Sequence, residues 1–176
     1  MTSSRVLAQV PLLGLATVLA SSCVDPDPRF ESPAAVFESL SGDLHFTPMS
    51  ELDPEAGTAV APLALSIEAS DESIVGLIGP EPAGQIGCDT VMAMAFRPIA
   101  GEVDDLASLA EAAAAWTGKD VAEFEAVPGV DGRLLPSRDP QGCAESVLAV
   151  TFDDVYLFAV GDPEAIDLLV RDLRDG

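Results

Sequence analysis

The sequence predicts an α+β domain, a mainly antiparallel sheet with two helices packed on one face. Three observations carry this. Apolar runs of strand length recur between turn residues, two apolar stripes recur at helical spacing, and the order along the chain is strands, helix, strands, helix. Near the C-terminus two apolar runs are split by Asp153-Asp154, a hairpin signal that makes the sheet antiparallel.

Residues 24–60 read as tether plus weak structure. Asp25-Pro26-Asp27-Pro28 is extended, because each residue before a proline is pushed out of the helical region. Ser32-Pro33 caps a short helix through Leu40, with Val36, Phe37 and Leu40 on one side. Pro48, Pro54 and Gly57 argue against long elements. From Leu63 the pattern sharpens: Leu63, Leu65, Ile67 and Ala69 alternate with Ala64, Ser66, Glu68 and Ser70, as on a half-buried strand. Asp71-Glu72 is expected to turn the chain into a second strand over 73–78. Gly79-Pro80, Pro82, Gly84 and Gly87 mark a loop.

Over 88–97 Met92, Met94 and Phe96 share one face of a strand and Val91, Ala93 and Ala95 the other. A strand apolar on both faces is a central one covered on both sides. Over 104–117 Leu106, Leu109, Ala110, Ala113 and Trp116 form one helical stripe. Asp104 and Asp105 suit its positive end, and Gly118 suits its stop. A strand is expected over 121–127, then turns at Pro128-Gly129 and Asp131-Gly132. The hairpin runs 146–152 and 155–160. The last helix opens with Asp162 as cap and Pro163 as first helical residue, and its face is Ile166, Leu169, Val170 and Leu173. The chain shows no internal repeat.

Charge excludes whole classes of partner. The 176 residues carry 8 Lys plus Arg against 30 Asp plus Glu, a formal net charge of -22. Binding nucleic acid by phosphate neutralisation needs clustered cations, and so does a polybasic membrane-surface protein. With 48% apolar and 22% charged residues the composition is globular. Lys119 is the sole lysine, a bias that fits GC-rich coding or a salt-loving host.

The N-terminus reads as an address. Residues 1–22 hold one base, Arg5, and no acid. An apolar run from Val6 to Ala20 is followed by Ser21, Ser22 and Cys23. That is the plan of a secretory signal, and the run is too short and interrupted for a transmembrane helix of about 20 apolar residues. Leu19-Ala20-Ser21-Ser22-Cys23 resembles the bacterial lipobox, although Ala20 stands three residues before the cysteine, where leucine is commonest. The resemblance covers the signal region alone. It implies removal of residues 1–22 and a lipid on Cys23, with Val24 not an inner-membrane retention signal in envelopes that sort by that position. Two or more acyl chains anchor stably where one is marginal.

Cysteine arithmetic follows from this. With Cys23 a thioether to lipid, Cys88 and Cys143 remain as an even pair, expected to form a disulfide in an oxidising compartment. The rival readings are two buried thiols or a metal pair. The 56-residue loop closed by the disulfide corresponds to roughly 4 kcal/mol on chain entropy. The expected organisation is signal peptide 1–22, lipidated cysteine with tether and weak structure 23–60, and α+β domain 61–176.

Candidate chemistry is sparse. No Gly-x-Ser-x-Gly, Ser-x-x-Lys or P-loop is present, and the glycine-rich stretch 79–87 lacks a lysine. His45, the one histidine, lies in the proline-rich region. Glu123 and Glu125 project together from the expected strand over 121–127, the arrangement of a carboxylate pair or of a solvated face. Asp25 and Asp27 begin a calcium-loop pattern that Arg29 interrupts. Met92, Met94 and Phe96 read as core or as the lining of an apolar cleft, and Trp116 as core. No catalytic, cofactor or metal residue is assigned. The expectation is a membrane-anchored, lipid-linked bacterial envelope protein with a non-enzymatic binding or accessory role. Its partner would be an envelope protein or a small apolar ligand, not nucleic acid. The alternatives are a secreted hydrolase and a calcium-dependent extracytoplasmic module.

Overall fold

The sheet grows outward from the expected hairpin. β6 (Ser146–Phe152) and β7 (Val155–Gly161) pair antiparallel from Ser146↔Gly161 to Phe152↔Val155. Asp153 makes the turn with φ 52°, a left-handed backbone that a short polar side chain tolerates. The structure, a computed structural model, describes residues 29–58, 69–82, 87–98, 105–137 and 145–175. On one side of the hairpin β7 pairs with β3 (Val91–Pro98), β3 with β2 (Ala69–Gly79), and β2 with β1 (His45–Pro48). On the other side β6 pairs with β5 (Gly132–Leu135) and β5 with the two-residue β4 (Glu125–Ala126). The order is β1-β2-β3-β7-β6-β5-β4, and every neighbour is antiparallel. The α+β class expected from the sequence is the class of the structure.

The helices divide between the two faces of this sheet, and this corrects the expectation that the helix over 104–117 and the last helix pack on the same face. Helix α1 (Pro33–Glu38) and helix α4 (Pro163–Asp175) cover one face. There Val36, Phe37, Ile166, Leu169 and Leu173 pack on Ile78, Val91, Ala93, Ala95, Leu148, Val150 and Leu157. Helix α3 (Leu106–Thr117) covers the other, where Leu109 and Ala113 pack with Leu77, Met94, Phe96, Val147, Ala149 and Phe158. The physical reason lies in the central strands. β3, β6 and β7 are buried on both faces, so one helical layer would leave a continuous apolar surface in water. Met94 and Phe96 are core, and Trp116 packs edge-on against Phe158 at 5.6 Å between ring centroids.

Helix ends follow local chemistry. Ser32 accepts from the Ala35 N–H at 3.3 Å to start α1. Asp105 accepts from the Ser108 N–H at 2.8 Å while Ser108 Oγ accepts from the Asp105 N–H at 3.0 Å, a closed capping box on α3. Gly118 ends α3 in the left-handed region. Asp162 accepts from the Ala165 N–H at 2.9 Å at the start of α4. The described part of α2, residues 54–58, starts from Asp53, whose Oδ1 accepts from the Ala56 N–H at 2.8 Å.

Three further expectations are corrected. Asp71-Glu72 does not turn the chain: β2 runs through it, with a register irregularity between Ala69 and Ser73. The strand over 121–127 is replaced by a 3₁₀ turn at Val121–Glu123 and the two residues of β4, because Asp120 caps that turn by accepting from the Ala122 N–H. The segment read as weak structure belongs to the fold from Arg29 onward: Phe30, Val36, Phe37 and Leu44 are core residues and β1 is a sheet strand. The domain therefore includes 29–58 rather than starting at residue 61. Of the strand read over 63–70, Ala69 and Ser70 belong to the start of β2, and residues 63–68 lie outside the described residues, as do the lipobox, Cys23, Asp25, Asp27 and Cys143.

Candidate functional site

At one edge of the sheet α1 and β1 leave an open groove of about 580 Å³. Its floor is aromatic and aliphatic. The rings of Phe37 on α1 and Phe46 on β1 stack at 3.9 Å between centroids and 5° between planes, flanked by Leu40 and Ile74. Its rim carries His45, Glu38 and Glu51, all exposed, and Pro82 also lines it.

The groove exists because of a glycine. Ile74, Gly76 and Ile78 point to the same face of β2, and Gly76 has no side chain there. The Phe46 ring occupies that place, close enough that a Cβ on Gly76 would overlap the ring and the Thr47 carbonyl. A glycine inside a strand commonly marks such a close approach. With its ring laid over β2, Phe46 is available to stack beneath Phe37. β1 is the terminal strand of the described sheet, so its outer edge faces the groove's surroundings rather than another described strand. An edge strand beside an apolar slot suits an extended segment or a flat apolar group. The two rim carboxylates favour a cationic substituent on it.

The structure places the site residues named from the sequence in separate regions. His45 lies in β1 on the groove rim. Glu123 ends the 3₁₀ turn and Glu125 starts β4, so the two do not project from one strand face as expected. Among the described residues no group of three or more His, Cys, Asp and Glu could hold a metal ion. No described helix is long and apolar enough to cross a membrane. Cys88 is exposed in the turn before β3. Neither other cysteine of the chain, Cys23 or Cys143, is among the described residues.

A second constellation was not anticipated from the sequence. Arg29 latches the start of the fold to its far C-terminal part. Its N–H donates to Asp153 Oδ2 at 3.2 Å, and its guanidinium donates to the Leu173 carbonyl in the last turn of α4. The same guanidinium lies over the Phe30 ring at 5.3 Å and the Phe152 ring at 5.2 Å, and these two rings meet edge-on at 4.8 Å. Beside it Arg97 donates to the Glu31 carbonyl at 2.6 Å and pairs with Glu72 and with Asp154, the latter at 2.9 Å. The apolar Phe30 so close to the start of the described fold was the available sequence signal.

Compared with known proteins, the chain matches no family model, no curated protein and no solved structure.

Proposed function

We propose that this chain is a membrane-anchored bacterial envelope lipoprotein with a non-enzymatic binding role. Cys23 carries the lipid, a Cys88–Cys143 disulfide staples the domain, and the groove between α1 and β1 is the binding surface. The observation that carries the reading is the cysteine placement. A lipobox-like run ends at Cys23, and it leaves an even pair in the remaining chain. The sheet register supports that pairing. Val91 of β3 and Ser146 of β6 both pair with Gly161 of β7, one from each side. The two strands thus start at one end of the sheet, about 10 Å apart across two strand spacings. Cys88 precedes Val91 by three residues and Cys143 precedes Ser146 by three. That slack is ample for the roughly 5.5–6 Å Cα separation a disulfide needs. The groove supports an apolar ligand or peptide segment, and its Glu38 and Glu51 rim supports a positive charge on it.

The test is the intact mass of the protein extracted from host membranes with detergent, with and without reduction and alkylation. The expected mass is residues 23–176 plus acyl groups, with two alkyl groups added only after reduction. A mass without acyl groups, whatever its first residue, overturns the anchor. Two alkyl groups added before reduction overturn the disulfide.

A further inference from the structure

We propose that the end of the domain bearing Arg29, the β6–β7 turn and the last turn of α4 faces the membrane, and that the end bearing Cys88 and the His45 rim of the groove faces away. This rests on the lipid at Cys23 proposed above. Chain length, set against domain length, decides the orientation. The Arg29 latch fixes the chain by a hydrogen bond to Asp153, another to the Leu173 carbonyl, and two ring contacts. Only six residue steps separate Arg29 from Cys23. Fully extended, six steps span roughly 20 Å.

All of the latch contacts sit at one end of the sheet. Asp153 is in the turn after β6, and Arg97, which pairs with Asp154 and reaches the Glu31 carbonyl, is near the end of β3. The opposite end holds the start of β3, the end of β7 and the start of β6, joined at Gly161. It also holds the start of β1, where His45 pairs with Gly79. The eight residues of β3 span roughly 25 Å at the usual rise. The Gly87–Thr90 turn adds further thickness beyond its start. To rest on the bilayer by that far end, the domain would have to raise Arg29 by more than about 25 Å on a leash of about 20 Å. The domain therefore cannot stand on its far end, and with the latch end held at the bilayer the groove is presented to partners that approach from the aqueous side.

The test uses the full-length lipidated protein in phosphatidylcholine vesicles. With Cys23 lipidated and the other two cysteines paired, one added cysteine is the sole labelling site. Asp175→Cys marks the latch end and Glu81→Cys the far end, both at exposed positions. Each carries a fluorescent donor, and the vesicles carry a headgroup-linked acceptor. Energy transfer is expected to be several-fold stronger from position 175 than from position 81. An insertion of about 20 Gly/Ser residues after Val24, a flexible leash of roughly 25 Å root-mean-square span and far longer reach, should bring the two values together. Transfer from position 81 equal to or above that from 175 in the uninserted protein overturns the orientation. The same preparation is weighed first. Missing acyl groups sink the lipoprotein reading itself, whereas acylated protein with inverted transfer sinks the orientation alone.

Discussion

At Gly76 the place a methyl group would take is filled by the Phe46 ring and the Thr47 carbonyl. Replacing it with alanine forces backbone or an aromatic ring to move, and overpacking of this kind costs about 1–3 kcal/mol. Gly76→Ala is expected to lower the urea midpoint and to weaken β1 pairing. Gly42→Ala, where nothing lies within 4 Å, should stay near wild type. Equal midpoints for the two variants would refute the close approach. Arg29 makes the second residue-scale case. It is exposed, yet its guanidinium touches two rings and caps the α4 carbonyl of Leu173. Arg29→Ala should cost about 1 kcal/mol, and Arg29→Lys should recover only part of it, because an ammonium reproduces the charge but not the planar stacking. Full recovery by lysine would mean that charge alone holds the latch.

The helices respond to their caps. Asp162→Ala leaves the Ala165 N–H unpaired at the start of α4 and should cost about 1 kcal/mol, measured by urea unfolding. Asp105 on α3 adds a pH dependence. Its carboxyl is held below the ordinary carboxylate range, chiefly by the hydrogen bond from the Ser108 N–H and then by the Ser108 hydroxyl. A group whose folded value is depressed stabilises above its unfolded value and loses that contribution as pH falls through the folded one. Wild type should therefore exceed Asp105→Asn at neutral pH, and the gap should close as the solution is acidified below the usual carboxylate range. A gap that stays constant throughout that acidification would contradict this. These caps were legible in the sequence because capping is local: Ser32, Asp105, Asp162 and Gly118 act within four residues of themselves. The β6–β7 hairpin was legible for the same reason. β1 and β5 were not, since four residues show no period, and each is a strand only because a longer neighbour pairs with it. The groove was legible only in its parts. Phe37, Phe46 and Gly76 meet across 39 residues of chain (76 − 37), and no local pattern announces that a glycine on one strand receives a ring from the next. The placement of helices on opposite faces was legible in principle, because the two apolar faces of β3 already demand two covers.

The whole molecule carries far more acid than base, and its stability should follow ionic strength. Without residues 1–22 the chain has 7 basic and 30 acidic residues. Self-repulsion of that excess opposes folding, and salt weakens it once the Debye length falls to about 10 Å near 0.1 M. Salt also weakens ion pairs, so the sign depends on which effect is larger. The ion pairs of Arg97 with Glu72 and Asp154, and of Arg174 with Asp175, have carboxylate side chains more than half exposed. Solvent screens such exposed pairs, so they contribute little and little is lost when salt screens them further. Repulsion among the many unmatched carboxylates outweighs them. The melting temperature should therefore rise on going from about 10 mM to about 0.5 M NaCl, a range over which the screening length shrinks several-fold. Sodium and calcium chloride compared at equal ionic strength separate two causes of that rise. Diffuse screening gives the same curve for both at low millimolar divalent ion. A dedicated calcium site would add a step at low calcium that sodium cannot reproduce, growing with the logarithm of calcium concentration above its dissociation constant. Coincident curves leave net charge as the cause, and a melting temperature that falls with salt would mean that the ion pairs outweigh the repulsion.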